Sequence, residues 1–153
     1  MLFRSLILLK FTDFKYFRFT IWKESIESII RNPIFGTGAG SFPEIFLSET
    51  GFYRNHTHNL PLELMVGYGI PPAIFIFIPI FLLIYFSSKK VLFKNRNILE
   101  PIIDKAWVSA LIALIFSQMV DVQYFDGRIS IIFWLLLVGA KSIIDEKKSL
   151  NSA

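Results

Sequence analysis

The chain has 153 residues, of which 54% are hydrophobic, 16% aromatic and only 18% charged, with a mean hydropathy of +0.54. Charged residues make up about a quarter of an ordinary soluble domain, so that class is excluded, and the wealth of Phe, Leu and Ile excludes a disordered chain. The absence of cysteine removes disulfides, thiolate metal sites and thiol nucleophiles together. Two histidines are too few for most all-protein zinc sites, and a net charge of +4 is modest, so no nucleic-acid partner is expected. The class that survives is an all-α integral membrane protein.

In chain order, Ser5 to Leu9 is an apolar run of five residues, shorter than the core of a signal peptide, about 7–15 residues. Residues 15–31 then read as an amphipathic helix, with Phe19, Trp22, Ile26, Ile29 and Ile30 on one stripe and Lys23, Glu24, Glu27 and Ser28 on much of the other side. Asn32-Pro33 supplies the stop, because the residue before a proline is biased away from helix. Arg18 precedes Trp22 by four positions and lies along the apolar stripe. Its stem could pack while its head reaches lipid headgroups, or its planar guanidinium could be aimed at a phosphate.

The segment Gly36-Thr37-Gly38-Ala39-Gly40-Ser41-Phe42 follows. Alternating glycines open backbone N–H groups to an anion, and they equally mark a tight turn. No Lys-Ser/Thr follows as in a nucleotide P-loop, and no strand precedes as in a dinucleotide fold. Next comes Arg54-Asn55-His56-Thr57-His58-Asn59, a polar cluster directly before the strongest apolar run. It is compatible with a hydrated cap, Asn59 standing at a helix start, and with a general base, since imidazole accepts a proton near neutral pH. A His-x-His metal site lacks an obvious third ligand, so no metal is expected.

A membrane-crossing helix needs about 20 mostly apolar residues. Leu64 to Phe86 offers 23 without a charge, Ala106 to Val120 offers 15, and Ile129 to Ile144 offers 16 interrupted only by Lys141. The second and third are short and need snorkelling ends such as Lys105 and Lys141. The expected organisation is therefore a loop segment over residues 1–60, about three transmembrane helices within 61–144 (64–86, 106–120 and 129–144) and a tail over 145–153. Eight basic residues lie in the Ser87–Lys105 loop and the C-terminal region (Lys89, Lys90, Lys94, Arg96, Lys105, Lys141, Lys147, Lys148), against Arg54 and Arg128 on the other side. Positive charge stays in the cytoplasm, which puts the tail inside and residues 1–60 outside. No adequate apolar span precedes this outer segment. The chain is therefore expected to be the C-terminal part of a larger polytopic protein, or to work beside a separately encoded upstream half.

Arg18-x3-Trp22, then Asn32-Pro33-Ile34-Phe35-Gly36-Thr37-Gly38-Ala39-Gly40-Ser41-Phe42, then His56-Thr57-His58-Asn59 running into a membrane helix, together resemble the O-antigen ligase/polymerase superfamily of bacterial envelope glycosyltransferases. The family's histidine motif is His, then Asn, Ser or Gln, nine residues, Gly, two residues, then Gly, Thr or Tyr. Here His58-Asn59 is followed by nine residues and Gly69, and the last position holds Pro72 instead. The family's arginine motif is Arg, three residues, Leu; Arg18 matches it with Trp22 in place of Leu. Arg4-Ser5-Leu6-Ile7-Leu8 matches literally but lacks the Asn-Pro-Gly context that follows.

The resemblance implies a periplasmic loop and a multi-pass fold in the bacterial inner membrane, within lipopolysaccharide or related cell-envelope biosynthesis. It implies transfer of a glycan from an undecaprenyl-pyrophosphate carrier to an acceptor hydroxyl on the lipid A core, on a growing glycan or on protein, with inversion and with neither metal nor other cofactor. A pyrophosphate leaving group gathers negative charge, which positioned cations stabilise; Arg18 is the first candidate and Arg54 the second. His58 would be the base. His56 would orient it or bind phosphate, and Asn59 would fix the histidine's tautomer or cap the helix. Asp121 would bind acceptor hydroxyls or pair with Arg18, and Gly36, Gly38, Gly40 and Gly69 form the structural motif. The competing expectation is a non-catalytic remnant or accessory subunit that binds lipid-linked glycan without turnover.

Overall fold

The computed structural model describes residues 2–93 and 100–150, with side chains over 17–92 and 102–146. Lys94 and Arg96 of the basic loop and residues 151–153 of the tail lie outside the described residues, as do the side chains of Arg4, Lys147 and Lys148. The described chain is all-helical: α1 (Leu2–Arg31), α2 (Phe42–Thr50), α3 (Leu60–Tyr68), α4 (Ile70–Phe93), α5 (Glu100–Gln118) and α6 (Gly127–Leu150). It divides into two compact units, residues 1–73 and 74–153.

In the first unit α1 starts at Leu2, well before residue 15, because no glycine or proline lies between Leu2 and Arg31 to break it. Its buried face is Ile21, Ser25, Ser28 and Ile29. The stripe expected from the sequence is therefore rotated: Ser28 lies inside, and Phe19, Ile26 and Ile30 are 61%, 48% and 70% exposed. The small serines let α2 and α3 come close, and the Ser25 hydroxyl donates to the Ile21 carbonyl at 2.7 Å, so its burial leaves no polar group unpaired. Phe42 and Phe46 of α2 and Val66 of α3 complete the core. Full burial of each phenylalanine contributes about 1.5–3 kcal/mol. Arg31 at the end of α1 bonds to Glu49 of α2, and that carboxylate raises the guanidinium above its ordinary value.

The apolar run beginning at Leu64 is not one helix. It breaks at Gly69, whose φ of 91° and ψ of 171° lie outside the helical region. The cause lies two residues further on: Pro71 and Pro72 have no N–H to continue the α3 hydrogen-bond ladder. Carbonyls at the end of α3 are thereby stranded, and the glycine loop supplies their donors. Thr37 N–H donates to Val66 O at 2.8 Å and Gly38 N–H to Gly67 O at 3.0 Å. The Thr37 hydroxyl adds a bond of 2.9 Å to Val66 O, and Ile70 N–H turns away to Pro33 O at 2.8 Å. With these amides committed to carbonyls, the loop is a backbone clasp and not an anion cradle.

In the second unit α4, α5 and α6 pack side by side, with α5 antiparallel to the other two. Leu111, Phe133, Leu137 and Ala140 form one layer with Ile80, Leu83 and Ile84, and Val91, Val108 and Ile143 form another. Trp107 of α5 lies on Gly139 of α6 so closely that a methyl group there would meet the indole nitrogen at 2.0 Å. The same nitrogen donates to Leu136 O at 3.0 Å. Lys90 of α4 reaches the Ile143 and Ile144 carbonyls of α6, so the basic ends of α4 and α6 meet at one end of this unit.

Among the described residues two helices are long and apolar enough to cross a membrane, Ile70–Leu92 and Gly127–Glu146. Only 11% of the most apolar window of the first is buried against protein, as expected of a surface in contact with lipid and not of a soluble core. Helix α5 carries Glu100, Asp104 and Lys105 in its first third.

Two outcomes follow from this packing. A Cβ at Gly69 would meet Ile34 O at 2.2 Å at a positive φ, so Gly69→Ala is expected to lower the melting temperature in detergent by the equivalent of about 1–3 kcal/mol. At the start of α6, the Arg128 guanidinium and backbone N–H hold the Asp126 carboxyl below its ordinary range. Its folded-state pKa lies below the unfolded one, so the stabilisation is present above about pH 4 and fades as pH falls through the folded value. Melting curves of wild type and Asp126→Asn should therefore differ at neutral pH and converge on acidification.

Candidate functional site

The segment before α3 is held by the first turn of that helix. Asn59 is its N-cap, its side-chain oxygen accepting from Leu62 N–H at 3.1 Å. Glu63 reaches backwards: its carboxylate accepts from Thr57 N–H at 2.8 Å. The Thr57 hydroxyl donates to Asn59 O at 2.8 Å, and Thr57 is fully buried. A carboxylate in the first turn also sits favourably against the helix dipole. Thr57 is thus pinned between two groups of α3, and the histidines on either side of it are partly exposed.

Pinning Thr57 forces an unusual backbone at its neighbour. His58 has φ 55°, the positive value found among the described non-glycine residues, a region where histidine is one of the better-tolerated side chains. The two imidazoles meet edge to face with centroids 4.3 Å apart. His58 N–H points at His56 Nδ1 at 3.4 Å, a long contact.

Arg54 comes from the same loop and lies over the Phe17 ring, its guanidinium carbon 3.9 Å from the centroid. Phe17 in turn meets Phe46 edge-on at 6.1 Å. The loop that carries the histidines is thereby tied to the turn of α1 that carries Arg18, whose side chain is partly buried with its Nε enclosed. Trp22, one turn along, buries its indole N–H with no hydrogen-bond partner among the described residues. Asp121 belongs to the second unit, in the turn after α5. There its carboxylate accepts from Val122 N–H at 3.0 Å and its own N–H donates to Ser117 O at 3.0 Å.

A loop of paired imidazoles, clasped at the mouth of an apolar helix beside two arginines, covers the stretch where the chain is similar to known proteins. Residues 12–78 match the model of the O-antigen ligase family. Over this segment the chain is similar to that family. No curated protein and no solved structure matches the chain. O-antigen ligases are membrane-associated and act on lipid-linked glycans, which agrees with the two apolar helices found here.

Against the O-antigen ligase pattern, Pro72 takes a simple place. It lies in the first turn of α4, where the first backbone bond is Ala73 N–H to Gly69 O at 3.4 Å. Backbone N–H groups of a first turn have no intrahelical partner, so proline costs no bond there. Gly36 and Gly69 sit back to back: a Cβ at Gly36 would meet the backbone of Gly67, Tyr68 and Gly69 at 2.6 Å. Gly38 and Gly40 also have positive φ, with open space where a side chain would stand.

Two residues of this region were not singled out from the sequence, Thr57 and Glu63. The signal for Glu63 was an acid in the first turn after a capping asparagine, a reduced form of the capping box. Glu63→Ala would leave the buried Thr57 N–H without its acceptor, costing about 1–3 kcal/mol. Hydrogen exchange at residues 55–59 should accelerate in that variant. Glu63→Gln, whose amide oxygen still accepts, should keep most of the protection.

Proposed function

We propose that the chain transfers a glycan from an undecaprenyl-pyrophosphate carrier to an acceptor hydroxyl on the outer side of the bacterial inner membrane, in the synthesis of envelope polysaccharide. The observation that carries this reading is the coincidence of the family match over residues 12–78 with an imidazole pair held at the start of α3, the short helix that leads into a membrane-length helix. In the proposed step the acceptor oxygen attacks the anomeric carbon from the face opposite the carrier. His58 takes the hydroxyl proton as the new C–O bond forms. The bond from the anomeric carbon to the pyrophosphate oxygen breaks, and its electron pair leaves with the pyrophosphate. Direct displacement inverts the sugar carbon, and no electron donor or acceptor is required.

Arg18 and Arg54 stabilise the departing pyrophosphate, because guanidinium groups bind phosphate oxygens in bidentate fashion. The stacking of Arg54 on Phe17 supports the pairing, since it brings the second arginine to the turn of α1 next to the first. His56 orients His58, and Asp121 binds hydroxyls of the acceptor, either the lipid A core or a growing glycan. The first turn of α4 accommodates Pro72 at no cost in backbone bonds, so this departure from the motif does not by itself favour an accessory protein that only binds lipid-linked glycan.

The test is glycan transfer by the complete protein in membranes of a strain lacking envelope glycan, read as the ladder on a gel. His58→Ala should slow transfer by about 10²–10⁴-fold, the usual contribution of a general base, with the protein still inserted. Transfer at the wild-type rate would remove His58 from the reaction. Arg18→Lys keeps the charge and loses the fork, and should weaken both turnover and carrier affinity; if neither changed, Arg18 would have no part in holding the pyrophosphate.

A further inference from the structure

Helix α1 carries more apolar surface than its core uses. While Ile21 and Ile29 pack inward, Phe19, Ile26 and Ile30 face out at 61%, 48% and 70% exposure. The exposed run continues past the helix end into Ile34 at 58% and Phe35 at 85%. These are large side chains, and an apolar surface of this kind on a stable fold marks a contact with a partner or a membrane.

The place of Ile34 and Phe35 identifies the partner. The backbone on either side of them is locked to the first residue of the membrane-length helix: Ile70 N–H donates to Pro33 O at 2.8 Å. The Gly69 backbone lies so close that a Cβ there would meet Ile34 O at 2.2 Å and Phe35 N at 2.9 Å. Ile70 is the first residue of the 23-residue apolar helix, so whatever depth that residue has in the membrane is shared, within a few ångströms, by Ile34 and Phe35. The cations along this part of α1 are Lys23, paired with Glu27 at 3.4 Å, and Arg31, paired with Glu27 at 3.6 Å and with Glu49. They suit the headgroup layer above an apolar edge.

We propose that Ile26, Ile30, Ile34 and Phe35 form a membrane-interface anchor that seats the first unit in the lipid leaflet α4 enters at Ile70. Interfacial segments of this kind bury their apolar face about 5–10 Å into the boundary between headgroups and acyl chains. The anchor fixes the height of the histidine loop above the bilayer through the same α3–α4 junction. It rests on α4 crossing the membrane and not on the glycan-transfer reading, so either can fail without the other.

These 153 residues contain no cysteine, so each label introduced here is the single label of the chain. Phe35→Cys and Ile30→Cys would be labelled with a nitroxide in phosphatidylethanolamine/phosphatidylglycerol vesicles, with Ser48→Cys, an exposed position on α2, as the aqueous reference. Both test labels should collide several-fold more with oxygen than with a water-soluble nickel chelate, and the reference label should do the reverse. Chelate access at position 35 or 30 equal to that at position 48 would overturn the anchor. Dipolar broadening between labels on neighbouring chains would also overturn it, by assigning the surface to a second copy. Two independent sites, both on exposed side chains, keep the test decisive if one variant inserts poorly.

Discussion

The junction between α3 and α4 controls the geometry of the first unit. Pro71 and Pro72 end the hydrogen-bond ladder, and the carbonyls of Val66 and Gly67 take the Thr37 and Gly38 amides in exchange. An unpaired buried carbonyl costs about 1–3 kcal/mol, so the exchange is close to obligatory once the prolines are present. It demands backbone approach without side chains, which is met by Gly36 and Gly69 facing one another. One constraint thus explains the glycines of the loop, the break between α3 and α4, and the fixed distance between the end of α1 and the start of the membrane helix.

The histidine loop inherits its order from the other end of the same short helix. Asn59 and Glu63 both spend side-chain oxygens on backbone N–H groups, and this holds Thr57 in the interior and leaves the imidazoles outside. Helix α3 is nine residues long, too short to be stable alone. It is clasped at its C-terminus by the glycine loop and packed through Val66 against α1 and α2. For the proton transfer proposed above, this order sets the imidazole geometry before substrate arrives.

Much of this was legible in the amino-acid sequence, for reasons that differ by element. The all-helical class followed from long uncharged runs, and the end of α1 followed from Asn32-Pro33. The family was readable because Arg18, the glycine segment and His58-Asn59 occur in a set order. The face of α1 was misjudged, since apolar periodicity cannot show that Ser25 and Ser28 lie inward when one serine satisfies its hydroxyl within the helix. The break at Gly69 was hidden inside an uncharged run whose hydropathy is continuous, because prolines end hydrogen-bond ladders without changing polarity. Thr57 and Glu63 escaped notice because their bond joins a backbone N–H to a carboxylate across six positions, and the acid in the first turn after Asn59 was the only residue-type trace of it.

The left-handed backbone at His58 carries an evolutionary cost. Glycine adopts that conformation without a Cβ penalty, so a descendant that lost the imidazole would gain robustness. Under the role proposed for His58, drift toward a sturdier molecule and selection for turnover oppose each other at this one position.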